Sequence, residues 1–175
     1  MRKTIKILTA AMLLVFAGSA MSQELKIPGT SLSITLPTDN WRYLQTLKLD
    51  DGADLYVYYY AHETIIDKSG DTVLPFLRVY VNQKYKGDLY SLIFNRYMLQ
   101  PYQSIEEYTS GIGLPKEGGM GYIGAYTNPS EKKDYEFMMT YFKNSGTTVE
   151  IRLETSKDTF TKMEEEFNTI LKSLK

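Results

Sequence analysis

A chain of 175 residues with 20 basic and 21 acidic side chains, a net charge of −1 and no cysteine has the size of one domain with a full hydrophobic core. The lack of cysteine excludes disulfide staples, thiol catalysis, zinc–thiolate sites and iron–sulfur clusters. The charge balance makes nucleic acid and anionic lipid poor electrostatic partners.

The first element is a leader. Arg2, Lys3 and Lys6 precede the apolar run Ile7 to Ala17, and the small residues GSAMS follow before Gln23. A basic start, an apolar middle and a small-residue close are the layout of a secretory signal peptide. The run has 11 residues, against about 20 for a spanning helix, and no second apolar run follows. No membrane span is therefore expected in the mature form. Cleavage after Ala20 or after Ser22 satisfies the small-residue rule, and the second is preferred. Neither site is followed by cysteine, which excludes a lipid anchor. Removing 1–22 takes away three basic residues and leaves 17 basic against 21 acidic, or −4. The expected product is an exported, periplasmic or secreted protein, with residues 23–175 forming a single domain.

Leu32, Ile34 and Leu36 alternate with Ser33 and Thr35, the pattern of a half-buried strand. Pro37, Asp39 and Asn40 break it, and Asp50 to Gly52 marks a turn. A strand leaves that turn as LYVYYY. On it Leu55, Val57 and Tyr59 share a face suited to a core, and Tyr56, Tyr58 and Tyr60 share the other, which is partly core if helices cover both sheet faces. The next strand, FLRVYVNQ, separates Leu77, Val79 and Val81 from Phe76, Arg78 and Tyr80. Turn residues Asp67 to Asp71 lie between the two strands, so together they predict an antiparallel hairpin. GDLYSLIFNRYMLQP predicts a helix with Asp88 as cap, Leu89, Leu92, Ile93 and Arg96/Tyr97 at helical spacing, and a stop at Gln100 before Pro101.

The glycine-rich stretch GIGLPKEGGMGYIGAY predicts a loop with one short strand around Tyr122 to Tyr126. YEFMMTYFK and TTVEIRLET flank NSG, a hairpin turn with a glycine for positive φ. Val149, Ile151 and Leu153 point one way and Glu150, Arg152 and Glu154 the other, which predicts a sheet with one buried and one wet face. The last element is an amphipathic helix with Phe160, Met163, Phe167, Ile170, Leu171 and Leu174 on one stripe. Thr155 and Asp158 have capping-box spacing.

Chemistry is thinly represented. His62, the one histidine, stands near Glu63, Asp67 and Ser69, but a zinc site needs three or four ligands, and KSG carries no nucleophile elbow. DDGAD and DKSGD lack the full spacing of a calcium loop. The glycine-rich stretch has no Gly-Lys-Ser/Thr, and Lys116 stands where a dinucleotide fingerprint needs its third glycine. No metal, no cofactor and no enzymatic activity are expected. The tentative contact residues are Tyr56, Tyr58 and Tyr60, an aromatic row suited to a sugar, an apolar small molecule or a partner, and Gly118, Gly119 and Met120 in an exposed hinged loop.

The order of elements then resembles the PsbP-like domain family, which includes the extrinsic photosystem II protein, a Ran-binding nuclear transport factor and many exported bacterial proteins. The resemblance rests on Leu36, Pro37 and Trp41 at the front. Its stronger part is Tyr135 to Leu174, where a hairpin leads into a helix bearing Phe160, Glu166, Phe167, Ile170, Leu171, Ser173 and Leu174. The middle, Leu44 to Asn128, stays unmatched. The resemblance implies an α+β fold, an α/β/α sandwich with a central antiparallel sheet covered by helices, and a non-enzymatic role through protein contacts. The expected function is an exported interaction or accessory module of the bacterial envelope with an envelope protein as partner. Ligand or glycan binding on the tyrosine face is the alternative.

Overall fold

The computed structural model describes residues 22–49, 54–99, 102–108 and 118–175. The leader except Ser22, the turn at Asp50 to Gly52, Pro101 and the stretch from Gly111 to Lys116 lie outside the described residues. The elements run β1 (Gln23–Lys26), β2 (Ser33–Leu36), β3 (Arg42–Leu49), β4 (Leu55–Ala61), β5 (Ile65–Ile66), β6 (Thr72–Val73), β7 (Phe76–Asn82), α1 (Leu89–Leu99), β8 (Tyr102–Glu107), β9 (Met120–Asn128), β10 (Lys133–Asn144), β11 (Thr147–Ser156) and α2 (Lys157–Lys172).

A seven-stranded sheet in the order β3-β4-β7-β11-β10-β9-β8 carries the fold, and every neighbouring pair is antiparallel. β1 and β2 form a separate hairpin, and β5 and β6 a second one at the tip of the β4–β7 connection. The architecture is α+β, a large antiparallel sheet with two helices. β10 and β11 meet as expected through Ser145 and Gly146, at φ 51° and 83°, the left-handed pair that a two-residue turn matching strand twist requires.

One face of the sheet holds Leu77, Val79, Val81, Met138, Phe142, Val149, Ile151 and Leu153. Phe160, Met163, Phe167, Ile170 and Leu171 of α2 pack on it, with Trp41 and residues of the β1–β2 hairpin. The stripe expected of this helix is the one it buries. The last residue clips the hairpin down, because Ser33 and Lys175 exchange backbone hydrogen bonds of 2.9 and 3.1 Å. On the opposite face Phe137, Met139 and Tyr141 pack with Leu89, Leu92 and Ile93 of α1.

Several expectations need correction. β11 has no wet face: Glu150, Arg152 and Glu154 are all buried, at 4%, 2% and 1% exposure. The α2 cap is Ser156 rather than Thr155, with no side-chain cap bond. Thr155 instead joins its hydroxyl to that of Thr159 at 2.7 Å. β9 spans nine residues, longer than the short strand around Tyr122 to Tyr126. Its glycines mask it, yet Gly124 is needed, since a Cβ there would lie 2.4 Å from the Ser104 carbonyl oxygen and 2.6 Å from the Phe137 ring. The sequence pattern does not predict β1, β3 or β8. All eight residues of β3 are exposed, so it shows none of the alternation that marks a half-buried strand.

Phe167 is fully buried between Trp41 and Phe160, at ring separations of 6.4 and 6.1 Å. Phe167→Ala is expected to lower unfolding free energy by about 3–5 kcal/mol, read from urea denaturation. An unchanged midpoint would mean that α2 does not cover this face. Gly124→Ala is expected to lose about 1–3 kcal/mol by overpacking in the same measurement.

Candidate functional site

Leu55 and Val57 are buried, as their face suggests, and the tyrosine row opposite them is covered as well. Strand register pairs Tyr56, Tyr58 and Tyr60 with Val81, Val79 and Leu77, so the row stands on the α2 side. Tyr60 is core, 9% exposed, with the ring of Tyr43 from β3 against it at 5.5 Å. Burial pushes its phenol up to about 12. Tyr58 is half-buried and packs on the core, and burial raises its phenol too. Tyr56 lies under the ammonium of Lys48, 5.5 Å from its ring centre. Leu55, Val57 and Tyr59 look instead toward the other face.

Gly118, Gly119 and Met120 stand at the start of β9, four strand steps and about 19 Å from the tyrosine row. The two groups of contact candidates are therefore not brought together. Gly118 takes φ 67° with open space around its Cα. Met120 pairs with Tyr141, whose ring packs beneath α1. Two residues on, Tyr122 packs on the same Phe137, Met139 and Tyr141 cluster that α1 covers.

His62 is structural in its contacts. It is 5% exposed, Nδ1 lies 2.8 Å from the Glu63 carbonyl oxygen, and its ring meets Trp41 edge-on at 5.1 Å. Nε2 faces Glu166 Oε2 at 3.6 Å, while the Trp41 indole donates to Glu166 Oε1 at 2.7 Å. Asp67 belongs to a different arrangement. It accepts from the backbone of Ser69 and Asp71 at 2.9 and 2.8 Å and faces Lys133 at 3.4 Å. Among the described residues no three histidine or carboxylate side chains gather as they would around a metal ion.

The densest polar chemistry lies where sequence alternation pointed to solvent. In the centre of the sheet Arg78 and Arg152 stand directly opposite each other on β7 and β11. Like charges so placed repel unless a carboxylate is shared, and Glu154 is that carboxylate. Arg78 Nη2 donates to its Oε1 at 2.7 Å, Arg152 Nε faces its Oε2 at 3.4 Å, and the Tyr126 hydroxyl donates to Oε1 at 3.2 Å. Arg152 also donates to the Tyr102 hydroxyl at 2.9 Å and lies 4.5 Å from the Phe137 ring centre. Burial opposes its charge, but Tyr102, Glu154 and Glu150 outweigh that and hold it above the ordinary arginine value. Tyr102 itself is pushed up to about 12, chiefly by burial. From α1, Arg96 reaches Glu150 at 3.6 Å and stacks 5.1 Å over Tyr80.

α1 therefore carries two apolar faces. Leu89, Leu92 and Ile93 turn in. Tyr90, Phe94, Tyr97 and Met98 turn out, at 72%, 62%, 46% and 66% exposure. Their spacing of four, three and one residues makes an outward stripe roughly 100° wide. Sequence reasoning assigned the helix one buried face and passed over this one; the signal was the near absence of charge from Leu89 to Leu99.

No family model and no curated protein matches the sequence. In structure, the chain is similar to cyanobacterial PsbP (CyanoP) from Synechocystis, with a TM-score of 0.51, 14% identity, and 91% of this chain and 95% of that one covered. The fold is PsbP-like. The likeness necessarily runs through most of the middle region, Leu44 to Asn128, that sequence left unmatched. LpqN of Mycobacterium tuberculosis, described as involved in cell envelope biogenesis, superposes less closely, with a TM-score of 0.47, 13% identity, and 89% and 90% of the two chains covered.

Within this PsbP-like sheet the shared carboxylate can be tested directly. Glu154→Leu removes the group between two opposed guanidiniums and is expected to cost about 3–5 kcal/mol in denaturant unfolding. The double variant Arg78→Met/Glu154→Leu is expected to recover part of that loss. Recovery absent and a single-variant loss under about 1 kcal/mol would show that the cluster is not energetically coupled.

Proposed function

We propose that the protein is an exported, non-enzymatic accessory module of the bacterial envelope that acts through protein contacts, and that the outer face of α1 makes them. The observation that carries this reading is the stripe Tyr90, Phe94, Tyr97 and Met98, four large apolar side chains held out of the core on one short helix. Tyrosine, phenylalanine and methionine are enriched in the buried centres of protein interfaces, where charge is depleted. Export is supported by the layered leader of the sequence, and the protein-contact role by the PsbP-like resemblance. The contacts of His62 support a structural histidine over a catalytic one. The tyrosine row receives less support as a ligand platform, because Tyr60 is core and Tyr58 packs against it.

The test is capture from envelope extract with tagged residues 23–175 as bait, in the wild type and in Phe94→Glu. An interface anchor replaced by a charge is expected to lose about 2 kcal/mol or more, roughly thirtyfold in affinity. Proteins retained by the wild type should therefore be depleted from the variant, and His62→Ala should retain them. Equal capture by wild type and Phe94→Glu would remove α1 from the reading.

A further inference from the structure

We infer that the outer face of α1 pairs with the same face of a second copy of this chain, the two helices running antiparallel across a two-fold axis at Phe94. The inference rests on the reading of that face as a protein-contact surface and names what fills it.

The pattern is self-complementary. Tyr90, Phe94 and Met98 form one i, i+4 ridge, and such ridges interlock between crossing helices. With Phe94 on the axis, Phe94 meets Phe94 of the other copy and Tyr90 meets Met98, a sulfur–aromatic contact made twice. This is the reciprocity that an isologous two-fold interface requires. Tyr97, on the flank, closes the edge.

The size is sufficient. Aromatic side chains present about 150–250 Å² each, so at the observed exposures the stripe offers about 500 Å² per copy. Two copies then bury about 1,000 Å², the lower bound for a specific interface. Such a dimer belongs at the weak end, with dissociation on the order of 10 µM or weaker.

The charges also favour this orientation. No charged side chain stands in the stripe: Asp88 caps the helix by accepting from Ser91 N–H at 2.7 Å, and Arg96 is turned in on Glu150. Lys86 and Lys143 lie at the N-terminal end, where Lys143 donates to the Gly87 carbonyl oxygen at 2.7 Å. An antiparallel pair separates these lysines from those of the other copy by about 24 Å, beyond the Debye length of about 10 Å, and opposes the helix dipoles. A parallel pair would bring the lysines together. An anionic lipid surface suits the stripe less well, since the chain as a whole is net negative.

The absence of any native cysteine allows a direct test. Phe94→Cys creates a thiol that meets its own copy across the axis, and Tyr90→Cys/Met98→Cys creates two reciprocal pairs while keeping Phe94. Both are expected to form disulfide-linked dimers under mild oxidation at least tenfold faster than Asn95→Cys, which sits on the same helix outside the stripe. Sedimentation of the wild type is expected to show a concentration-dependent dimer that Phe94→Glu abolishes without altering its circular dichroism or thermal midpoint. A wild type that stays monomeric, with no preferential cross-linking, overturns the inference. So does a dimer that persists in Phe94→Glu, which would place the contact elsewhere, such as the exposed edge β3. If the chain is monomeric yet Phe94→Glu still loses a different captured protein, the dimer fails and the contact reading stands. If Phe94→Glu changes neither capture nor oligomeric state, or the stripe instead binds phosphatidylglycerol vesicles, both fail.

Discussion

Glu154 sits between Arg78 and Arg152 at the centre of the seven-stranded sheet, the carboxylate both guanidiniums face where the middle strand is buried on both sides. β11 is the middle strand, and all ten of its residues are buried. A central strand covered on both sides is normally a near-continuous apolar run. Here Glu150, Arg152 and Glu154 take three successive alternate positions, so the face beneath α1 must satisfy its ions internally. It does so with the Glu154 carboxylate between two arginines, tyrosine hydroxyls as donor and acceptor, and aromatic rings under the guanidiniums. Glu150 Oε2 and Glu154 Oε2 rest on ion-pair contacts of 3.6 and 3.4 Å without a hydrogen bond. A buried network of this kind does not raise stability over an apolar core of equal volume. It does restrict the partners that β7, α1, β8 and β9 can adopt, since each must present the right group to β11.

That constraint explains where the sequence was readable. The α2 side follows alternation and helical spacing, and there the expected elements, hairpin turn and buried stripe are those found. Alternation cannot say whether the charged side of a strand meets water or other charges. Glu150, Arg152 and Glu154 read as solvent-facing because their partners come from β7, α1, β8 and β9, up to about 75 residues away in the chain. The tyrosine strand was legible in part: Leu55 and Val57 are buried as their alternation suggests, but only the register with β7 places Tyr56, Tyr58 and Tyr60 on the α2 side. β3 and β8, at the two edges, carry few buried side chains, so pairing outweighs alternation in selecting them.

Of the contact candidates, Gly118 is exposed while Gly119 and Met120 at the start of β9 are half-buried. The α1 stripe was not legible in the sequence, although it is the largest apolar feature left uncovered on a helix. The helical period was recognised and one face was assigned to the core, which is the usual economy of a surface helix. The second apolar face could be told from the first only when Arg96 was placed. Helical spacing groups Arg96 and Tyr97 with Leu89, Leu92 and Ile93, but only Arg96 turns inward with them, on Glu150, while Tyr97 turns out.

Arg96 thus joins the two halves of the structure. Its guanidinium is held by Glu150 and Tyr80, and Leu89, Leu92 and Ile93 hold the same side of the helix by packing. Rotation of α1 by one residue, about 100°, would withdraw Arg96 from Glu150, leaving a buried carboxylate short of its cation, and would carry apolar packing into solvent. The ionic pair and the apolar contacts together fix a single rotation. A helix whose two faces were both merely greasy would have no such preference and could present Tyr90, Phe94 and Met98 inward as readily as outward. The buried charges of the sheet therefore act at a distance from themselves: by fixing how α1 is turned, they determine which side chains the protein presents for contact.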